Sequence, residues 1–180
     1  DGESALIHSA AGDFRNFPVE SMESKCPLLI RRYALGPDSG GPGRQRGGLN
    51  IVREYEVTAD YVDVSLWFDR THTPAWGLFG GQAGAIPQVV LDPDGPQERH
   101  LLKINHLPLA AGTIFRVQTG GGGGYGPPHE RPLANIQQDL LDGYISRVAA
   151  EKQYGVCLKK ETLEIDLEAT RSQPGQADRL

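Results

Sequence analysis

Apolar and polar residues alternate along much of the first two-thirds of the chain. Within residues 61–68 every even position is apolar, whereas Asp63 and Ser65 lie between them. This period of two predicts a strand with one face in a core and the other in solvent. The remaining predicted strands cover residues 28–35, 49–57, 88–91, 100–106 and 113–118. Clusters of Gly, Pro and Asp separate them, and short strands at this spacing indicate an antiparallel sandwich or barrel.

The last third of the chain has helical periodicity. Pro132 opens a helix that ends at Asp142-Gly143, and Ser146 is the predicted N-cap of a second helix that ends at Tyr154-Gly155. A brief strand is expected over residues 156–158, and Asp166 is expected to cap a last helical turn. The fold class is therefore mainly β, with a C-terminal helical hairpin packed on the sheet. We divide this single structural unit into residues 1–131, 132–171 and a polar, frayed tail at 172–180.

Composition narrows the possible functions. The 180 residues carry a formal net charge of −5, whereas a sequence-independent nucleic-acid binder is expected to be basic. The two close helices could form a helix-turn-helix, but a packed helical hairpin fits this charge better. No apolar run approaches the roughly 20 residues that span a bilayer, and the chain does not start like a signal peptide. We therefore expect a cytoplasmic protein that binds neither nucleic acid nor membrane, with Cys26 and Cys157 as free, buried thiols.

One glycine-rich stretch lies between two predicted strands at residues 38–48. Its glycines allow close approach of another chain or a ligand, and Arg44 and Arg46 could hold a carboxylate or phosphate. The alternative is a long structured turn in which Asp38 pairs with one of these arginines.

A second stretch contains five consecutive glycines, Gly120 to Gly124. Consecutive amides can face an anion as a nest, yet no Gly-Lys-Ser or Gly-Lys-Thr follows as in a P-loop. A backbone that must pass through a crowded interface explains the glycines equally well.

A third stretch contains an apolar group, Trp76, Leu78 and Phe79, between small residues. Such a group suits a subunit contact or a pocket wall, although packing in a core is the ordinary expectation. His100 and His106 are about 20 Å apart along an extended strand, too far for one metal ion. The sequence alone assembles no complete catalytic centre.

Seven motifs in a fixed order resemble one family. They are Asn-Phe-Pro-Val-Glu at 16–20, Cys-Pro-Leu at 26–28, Asp-Ser-Gly-Gly-Pro-Gly-Arg-Gln-Arg-Gly-Gly-Leu at 38–49, Trp-Gly-Leu-Phe-Gly-Gly at 76–81, Gly-Gly-Gly-Gly-Tyr-Gly at 121–126, Asp-Gly-Tyr-Ile-Ser at 142–146 and Tyr-Gly-Val at 154–156. From about Asp1 to Arg171 the chain resembles the C-terminal part of the hydantoinase B/oxoprolinase family.

The resemblance implies one part of an ATP-dependent enzyme that opens a cyclic amide such as a hydantoin, 5-oxoproline or a lactam. In such enzymes a hydantoinase A-type subunit handles ATP, and the B-type subunit completes the reaction on the small-molecule substrate. A subunit of a related acetone or acetophenone carboxylase is the first alternative. A non-catalytic structural subunit of such a complex is the second.

B-type subunits are much longer than this chain, and the family's metal-binding residues lie in their N-terminal portion. The resemblance therefore implies that the whole complex uses ATP and a divalent metal, and that this chain alone binds neither. It implies no metal ligand among the residues of this chain, and it implies that the isolated chain is inactive. His8 is near the first motif, with no role implied. The chain is expected to be a piece of such a subunit or a split-gene product, and its partners are the A-type subunit and the N-terminal portion of the B-type subunit. Contact with a partner or an anionic intermediate is expected at Asp38, Arg44, Arg46 and Gly120 to Gly124.

Overall fold

The protein is described by a computed structural model that covers residues 1–5 and 17–173. Helix α1 (Val19–Lys25) precedes seven strands, and a short 3₁₀ helix (Pro128–Glu130) leads into three further helices. The strands are β1 (Leu28–Leu35), β2 (Ile51–Val57), β3 (Val62–Leu66), β4 (Gln88–Leu91), β5 (Arg99–Leu101), β6 (Ile104–Leu109) and β7 (Ile114–Gln118). The helices are α2 (Leu133–Leu141), α3 (Arg147–Tyr154) and α4 (Leu167–Arg171).

Two antiparallel sheets face each other across an apolar core. The larger sheet has the order β1-β2-β7-β4-β5, and β3 pairs with β6 in the smaller one. Alternate residues of β2 and β7 point into the core, where the rings of Tyr55 and Phe115 stack with centroids 5.0 Å apart. Val62 and Val64 of the smaller sheet pack against the same cluster. The predicted β-rich sandwich class is confirmed, and the sheets of the described residues do not close into a barrel.

One predicted strand is in fact two. Residues 100–106 were expected to be continuous, but the strand is interrupted at Leu102 and Lys103. There the chain leaves the larger sheet, in which β5 pairs with β4, and enters the smaller sheet, in which β6 pairs with β3. Alternation of residue types does not reveal which partner strand each half takes, so the pattern could not show this break.

Two other elements differ from the predictions. No strand forms over residues 156–158, because Leu158 makes only an isolated bridge with Ile165. Helix α1 was not predicted. It buries no residue fully and has no side-chain cap, so it lacks the apolar stripe and the N-cap signal that identify a helix in a sequence.

The three C-terminal helices begin and end where the sequence predicts. The Ser146 hydroxyl accepts a hydrogen bond from the Ala149 amide at 3.1 Å, and Gly155 ends α3 with a φ of 66°. Asp166 caps α4 through the Ala169 amide. Helices α2 and α3 share an apolar core of their own that includes Ile136, and the core of the sandwich is a separate cluster.

Three smaller expectations have different outcomes. Cys26 and Cys157 are both free, but neither is fully buried, and Cys26 is exposed. Most of the expected frayed tail, and His8, lie outside the described residues. Within them, every helix is too short or too polar to cross a lipid bilayer.

Candidate contact surface on interlocked glycine segments

Three extended segments at residues 36–50, 74–85 and 119–127 lie side by side and form what we call the glycine layer. The Gly41 amide donates to the Gly122 carbonyl at 2.8 Å, and the Gly124 amide donates to the Gln82 carbonyl at 2.9 Å. The Gln82 amide in turn donates to the Pro42 carbonyl at 2.7 Å, so each segment bonds to both others. Between these three described segments the β-pairing is limited to isolated bridges, and no regular ladder forms.

Glycine is required because the three backbones approach one another so closely. A Cβ atom on Gly121 would lie 1.8 Å from the Ser39 carbonyl oxygen, and one on Gly47 would lie 2.0 Å from that of Gly122. On Gly123 it would lie 2.0 Å from the Trp76 carbonyl oxygen. Backbone atoms cannot move aside as a flexible side chain can. The glycine run therefore fits a backbone that passes through a crowded interface.

The same contacts oppose an anion-binding nest. The amides of Gly121, Gly122 and Gly124 donate to the carbonyl oxygens of Ala85, Gly48 and Gln82. An amide that already donates within the chain is not available to a phosphate. Gly121 and Gly124 are also buried, whereas Gly120 is exposed.

Asp38 connects the glycine layer to the helices. Its carboxylate accepts a hydrogen bond from the Ser146 amide at 2.6 Å, next to the start of α3, and its own amide donates to the Tyr144 carbonyl at 3.0 Å. The ion pair between Asp38 and Arg44 or Arg46 that the sequence allowed is therefore not formed. Asp38 has a φ of 61°, a conformation that Asp tolerates better than most residues.

Arg46 belongs to a buried ion network. It is 4% exposed, and its Nε lies 3.2 Å from Oδ2 of Asp139 in α2. The same carboxylate accepts from Arg131 at 2.7 Å, and Arg131 also binds both carboxylate oxygens of Asp1, at 2.5 and 2.7 Å. The Arg46 guanidinium is therefore buried and does not face a ligand.

Tyr154 lies beside this network. Burial raises the pKa of Tyr154, an effect that the Arg131 charge partly opposes.

Arg44 is the arginine of this segment that reaches the surface. Its side chain is half exposed, and its nearest carboxylate oxygen, in Glu130, is 3.9 Å away. Its amide donates to the Gly126 carbonyl at 3.1 Å, which fixes the backbone at the edge of the glycine layer. A positive group on a rigid backbone can pair with a carboxylate of another molecule.

Four apolar side chains protrude from this edge and form what we call the aromatic ridge: Trp76, Leu78, Phe79 and Tyr125. Phe79 is 75% exposed and Trp76 is 68% exposed, so the ordinary expectation of core packing is wrong for them. The rings of Phe79 and Tyr125 lie 5.1 Å apart, and Arg70 lies over the Trp76 ring at 5.6 Å. Sequence spacing suggested the first three residues, but it could not show that Tyr125 joins them.

An apolar cleft of about 660 Å³ lies where the glycine layer meets β2 and β7. Leu49, Ile51, Tyr55 and Val117 form much of its wall, and Arg53 contributes a cation. That guanidinium donates to the Tyr33 hydroxyl at 2.8 Å and lies over the Tyr33 ring.

Metal-ligating side chains do not cluster in the described residues. These residues contain no group of three or more His, Cys, Asp and Glu side chains that could hold a metal. The nearest approach to a catalytic pair in this part of the chain is His106 with Asp63, at 2.9 Å, and it is exposed on the smaller sheet. Three of the five consecutive glycine amides, those of Gly121, Gly122 and Gly124, already donate to carbonyl oxygens within the chain.

Comparison with known proteins gives one consistent result. The B-type component of a putative D-/L-hydantoinase from Pseudomonas sp. (strain NS671) is 33% identical over 172 residues, which are 94% of this chain and 28% of that protein. The crystal structure of the ATP-dependent caprolactamase from Pseudomonas jessenii matches 86% of this chain and 27% of its own, with a TM-score of 0.70 and 27% identity. A nucleotide-free acetone carboxylase shares the fold, with a TM-score of 0.69 at 20% identity over 86% of this chain and 25% of its own.

These comparisons also show how much of a whole relative the chain covers. It spans little more than a quarter of the length of the relatives that it matches. The sequence model of the Hydantoinase B/oxoprolinase family matches residues 1–128. The chain therefore belongs to the hydantoinase B/oxoprolinase family.

Proposed function

We propose that this chain is one part of the B-type component of an ATP-dependent enzyme that opens a cyclic amide. The observation that carries the proposal is the 33% identity along 94% of the chain to the B-type component of a putative hydantoinase. The likeness to an ATP-dependent caprolactamase supports the same reaction class. A hydantoinase A-type subunit and the remaining, N-terminal portion of the B-type component are the proposed partners.

Within such an enzyme we assign this chain a shaping and contact role. We propose that the bond-breaking groups, ATP and a divalent metal belong to the other parts, and that the isolated chain is inactive. This is supported by the described residues, which contain no group of His, Cys, Asp and Glu side chains that could hold a metal. A cytoplasmic location, where ATP is supplied, is part of the same proposal.

The residues singled out from the sequence divide into those available at the surface and those that hold the glycine layer in place. Arg44 and Gly120 are exposed and are proposed to contact a partner or an anionic intermediate. Arg46 and Gly121 to Gly124 hold the layer together, and Asp38 ties it to α3. These residues, of which Asp38 is itself exposed, act on the contact by fixing its shape.

A carboxylase of the acetone carboxylase kind is the second candidate. The observation in its favour is the shared fold, at a TM-score of 0.69, but the identity of 20% supports nothing finer. A purely structural subunit of either enzyme is the third. It differs in predicting unchanged turnover for each complex that does assemble.

The test begins with native mass spectrometry of the protein isolated from its source. The preparation is then assayed with ATP for opening of hydantoin, 5-oxoproline and caprolactam rings, and for ATP-dependent carboxylation of acetone. We expect larger partners and ring opening. Carboxylation without ring opening would select the second candidate, and a lone monomer inactive in both assays would refute the proposal.

Arg44→Ala examines the contact role within the same preparation. We expect it to weaken assembly or turnover, because Arg44 is exposed and only loosely paired with Glu130. Arg31→Ala, which removes a similarly exposed arginine from β1 of the larger sheet, is the matched control for turnover. Unchanged assembly and turnover in Arg44→Ala would reduce this residue to part of a structural turn.

A further inference from the structure

The turn that carries Phe79 has an unfavourable sequence for its shape. The Gly81 amide donates to the Leu78 carbonyl at 3.0 Å, and the two central residues, Phe79 and Gly80, have φ values of 51° and 92°. Positive φ at both central positions is the pattern of a type I′ turn, which favours Asn or Asp followed by Gly. A bulky aromatic residue is strained there.

The Phe79 side chain makes few packing contacts that could offset this strain. Its ring is 75% exposed, and its one ring contact among the described residues is with Tyr125, which is itself partly exposed. Strained residues that persist without a folding benefit point to a function at that position. An aromatic ring held out on a rigid turn is well suited to anchor a protein contact.

The surroundings of Phe79 are equally rigid. The Leu78 amide donates to the Gly124 carbonyl, and the Gly126 amide donates to the Leu78 carbonyl, each at 2.9 Å. The aromatic ridge is therefore attached directly to the glycine layer, where the backbones cannot separate. A backbone that is already fixed before binding loses little conformational entropy on binding, which favours affinity.

Charge indicates the chemistry of the occupant. Although the whole chain is acidic, at −5, two arginines flank the aromatic ridge: Arg70 over Trp76, and Arg44 beside Gly126. Aromatic and Arg side chains together are the residues enriched at the centres of protein interfaces. The complementary surface is an apolar socket with carboxylates at its rim.

We propose that the aromatic ridge docks into such a socket on the remaining portion of the B-type component. This inference rests on the proposed function. The caprolactamase chain that shares this fold is covered only to 27% by the present chain, so most of a B-type body lies outside it and must pack against some face of it. Within the part of the chain that the structure describes, the aromatic ridge combines protruding aromatic side chains, a rigid backbone and flanking cations.

A photo-reactive residue identifies the occupant. Benzoyl-phenylalanine is incorporated at position 79 of the enzyme assembled in its source organism, and the cross-linked peptide is sequenced after irradiation. We expect a peptide from the B-type body, with Asp or Glu close to it. A cross-link to the A-type subunit or to a second copy of this chain would overturn the proposal, as would no cross-link in an enzyme that assembles and turns over.

Phe79→Asn separates docking from folding. The substitution places asparagine before Gly80, the favoured type I′ pair, so the thermal midpoint of the chain should stay unchanged or rise. Loss of a central aromatic anchor should raise the dissociation constant, measured by dilution of the assembled enzyme, about 30-fold. Tyr61→Asn, at an exposed aromatic residue outside the ridge, is the matched control and should leave the constant unchanged.

The two proposals fail in different ways. A Phe79→Asn enzyme that assembles and turns over as tightly as the wild type refutes the aromatic ridge as an anchor but leaves the proposed function intact. A chain that has no partner and no activity in its source refutes the proposed function, and the docking proposal falls with it.

Discussion

The sandwich and the glycine layer are packed by opposite means. In the sandwich, side chains fill the space between two sheets, as the stacked rings of Tyr55 and Phe115 show. In the glycine layer, backbones touch directly, and a single Cβ on Gly121 would meet the Ser39 carbonyl oxygen at 1.8 Å. A side-chain core can repack around a change, whereas backbone packed on backbone cannot. The layer therefore fixes the position of whatever projects from it, including the aromatic ridge.

The ion pairs of the two regions also differ, in how far they are exposed to water. Behind the glycine layer, Arg46, Arg131 and Asp139 form ion pairs with almost no exposure to water. On the face of the larger sheet opposite the stacked rings, Arg116 pairs with Glu54, which is mostly buried, and with the exposed Asp94. Water screens the Asp94 contact, because that side chain is 76% exposed, so its loss should matter less.

The buried network should give the largest effect. Asp139→Ala leaves two guanidiniums buried without their shared carboxylate, and breaking a buried pair in this way costs about 3–5 kcal/mol. Urea unfolding monitored by tryptophan fluorescence measures the change in the free energy of unfolding. Asp142→Ala removes an exposed carboxylate just past the end of the same helix and should change it by less than about 0.5 kcal/mol. Equal effects of the two variants would contradict the assigned role of the network.

Adding one methyl group to the glycine layer should come next. Gly121→Ala forces a Cβ onto the backbone of Ser39 and should cost about 2–3 kcal/mol, at the upper end for overpacking. The neighbouring Gly120→Ala is the matched control, since its Cβ would be 3.6 Å from the nearest atoms. Thermal unfolding of both variants measures the difference. A Gly121→Ala protein as stable as the Gly120→Ala protein would mean that the layer is looser than its contacts indicate.

The sandwich should tolerate a change of shape at constant volume. Leu109→Met lies in its core, where Leu109 is buried, and should cost less than about 1.5 kcal/mol because the neighbouring side chains can adjust. The same thermal unfolding experiment measures it beside Gly121→Ala. A larger loss in Leu109→Met than in Gly121→Ala would reverse the comparison between the two regions.

The sequence predicts the two regions unequally. The strands of the sandwich and the caps of α3 and α4 follow from alternation and from local signals such as Ser146 and Asp166. The switch between sheets at Leu102 and Lys103 does not, because it depends on partners distant in the chain. In the glycine layer, composition predicts close approach but not which backbones meet.

The candidate site shows the same limit at the level of single residues. Arg44 and Arg46 are two positions apart and look equivalent in the sequence, yet one is half exposed and the other is buried against Asp139. Asp139 is 93 residues further along the chain, so no local pattern could distinguish the two arginines. Tyr125 joins the aromatic ridge through its bridge to Leu78, which is likewise a contact between distant parts of the chain that no local pattern reveals.

The smallest predicted effect depends on pH and belongs to the exposed Asp94, which pairs with Arg116. The hydrogen bond from Arg116 lowers the pKa of Asp94 below the ordinary 3.8. A carboxylate with a lowered folded-state pKa stabilises the fold above 3.8, and the contribution is lost as the pH falls through the folded-state value. Asp94→Asn should therefore be slightly less stable than the wild type at neutral pH, with the gap closing in acid.

Urea unfolding of the wild type and Asp94→Asn across this pH range measures the gap. Asp60→Asn, at an exposed aspartate for which no salt bridge is found among the described residues, serves as the control and should show no such convergence. A gap that stays constant into acid would mean that the Arg116 contact contributes nothing through charge. A gap as large as that of Asp139→Ala at neutral pH would show that exposure to solvent does not separate the ion pairs of the two regions.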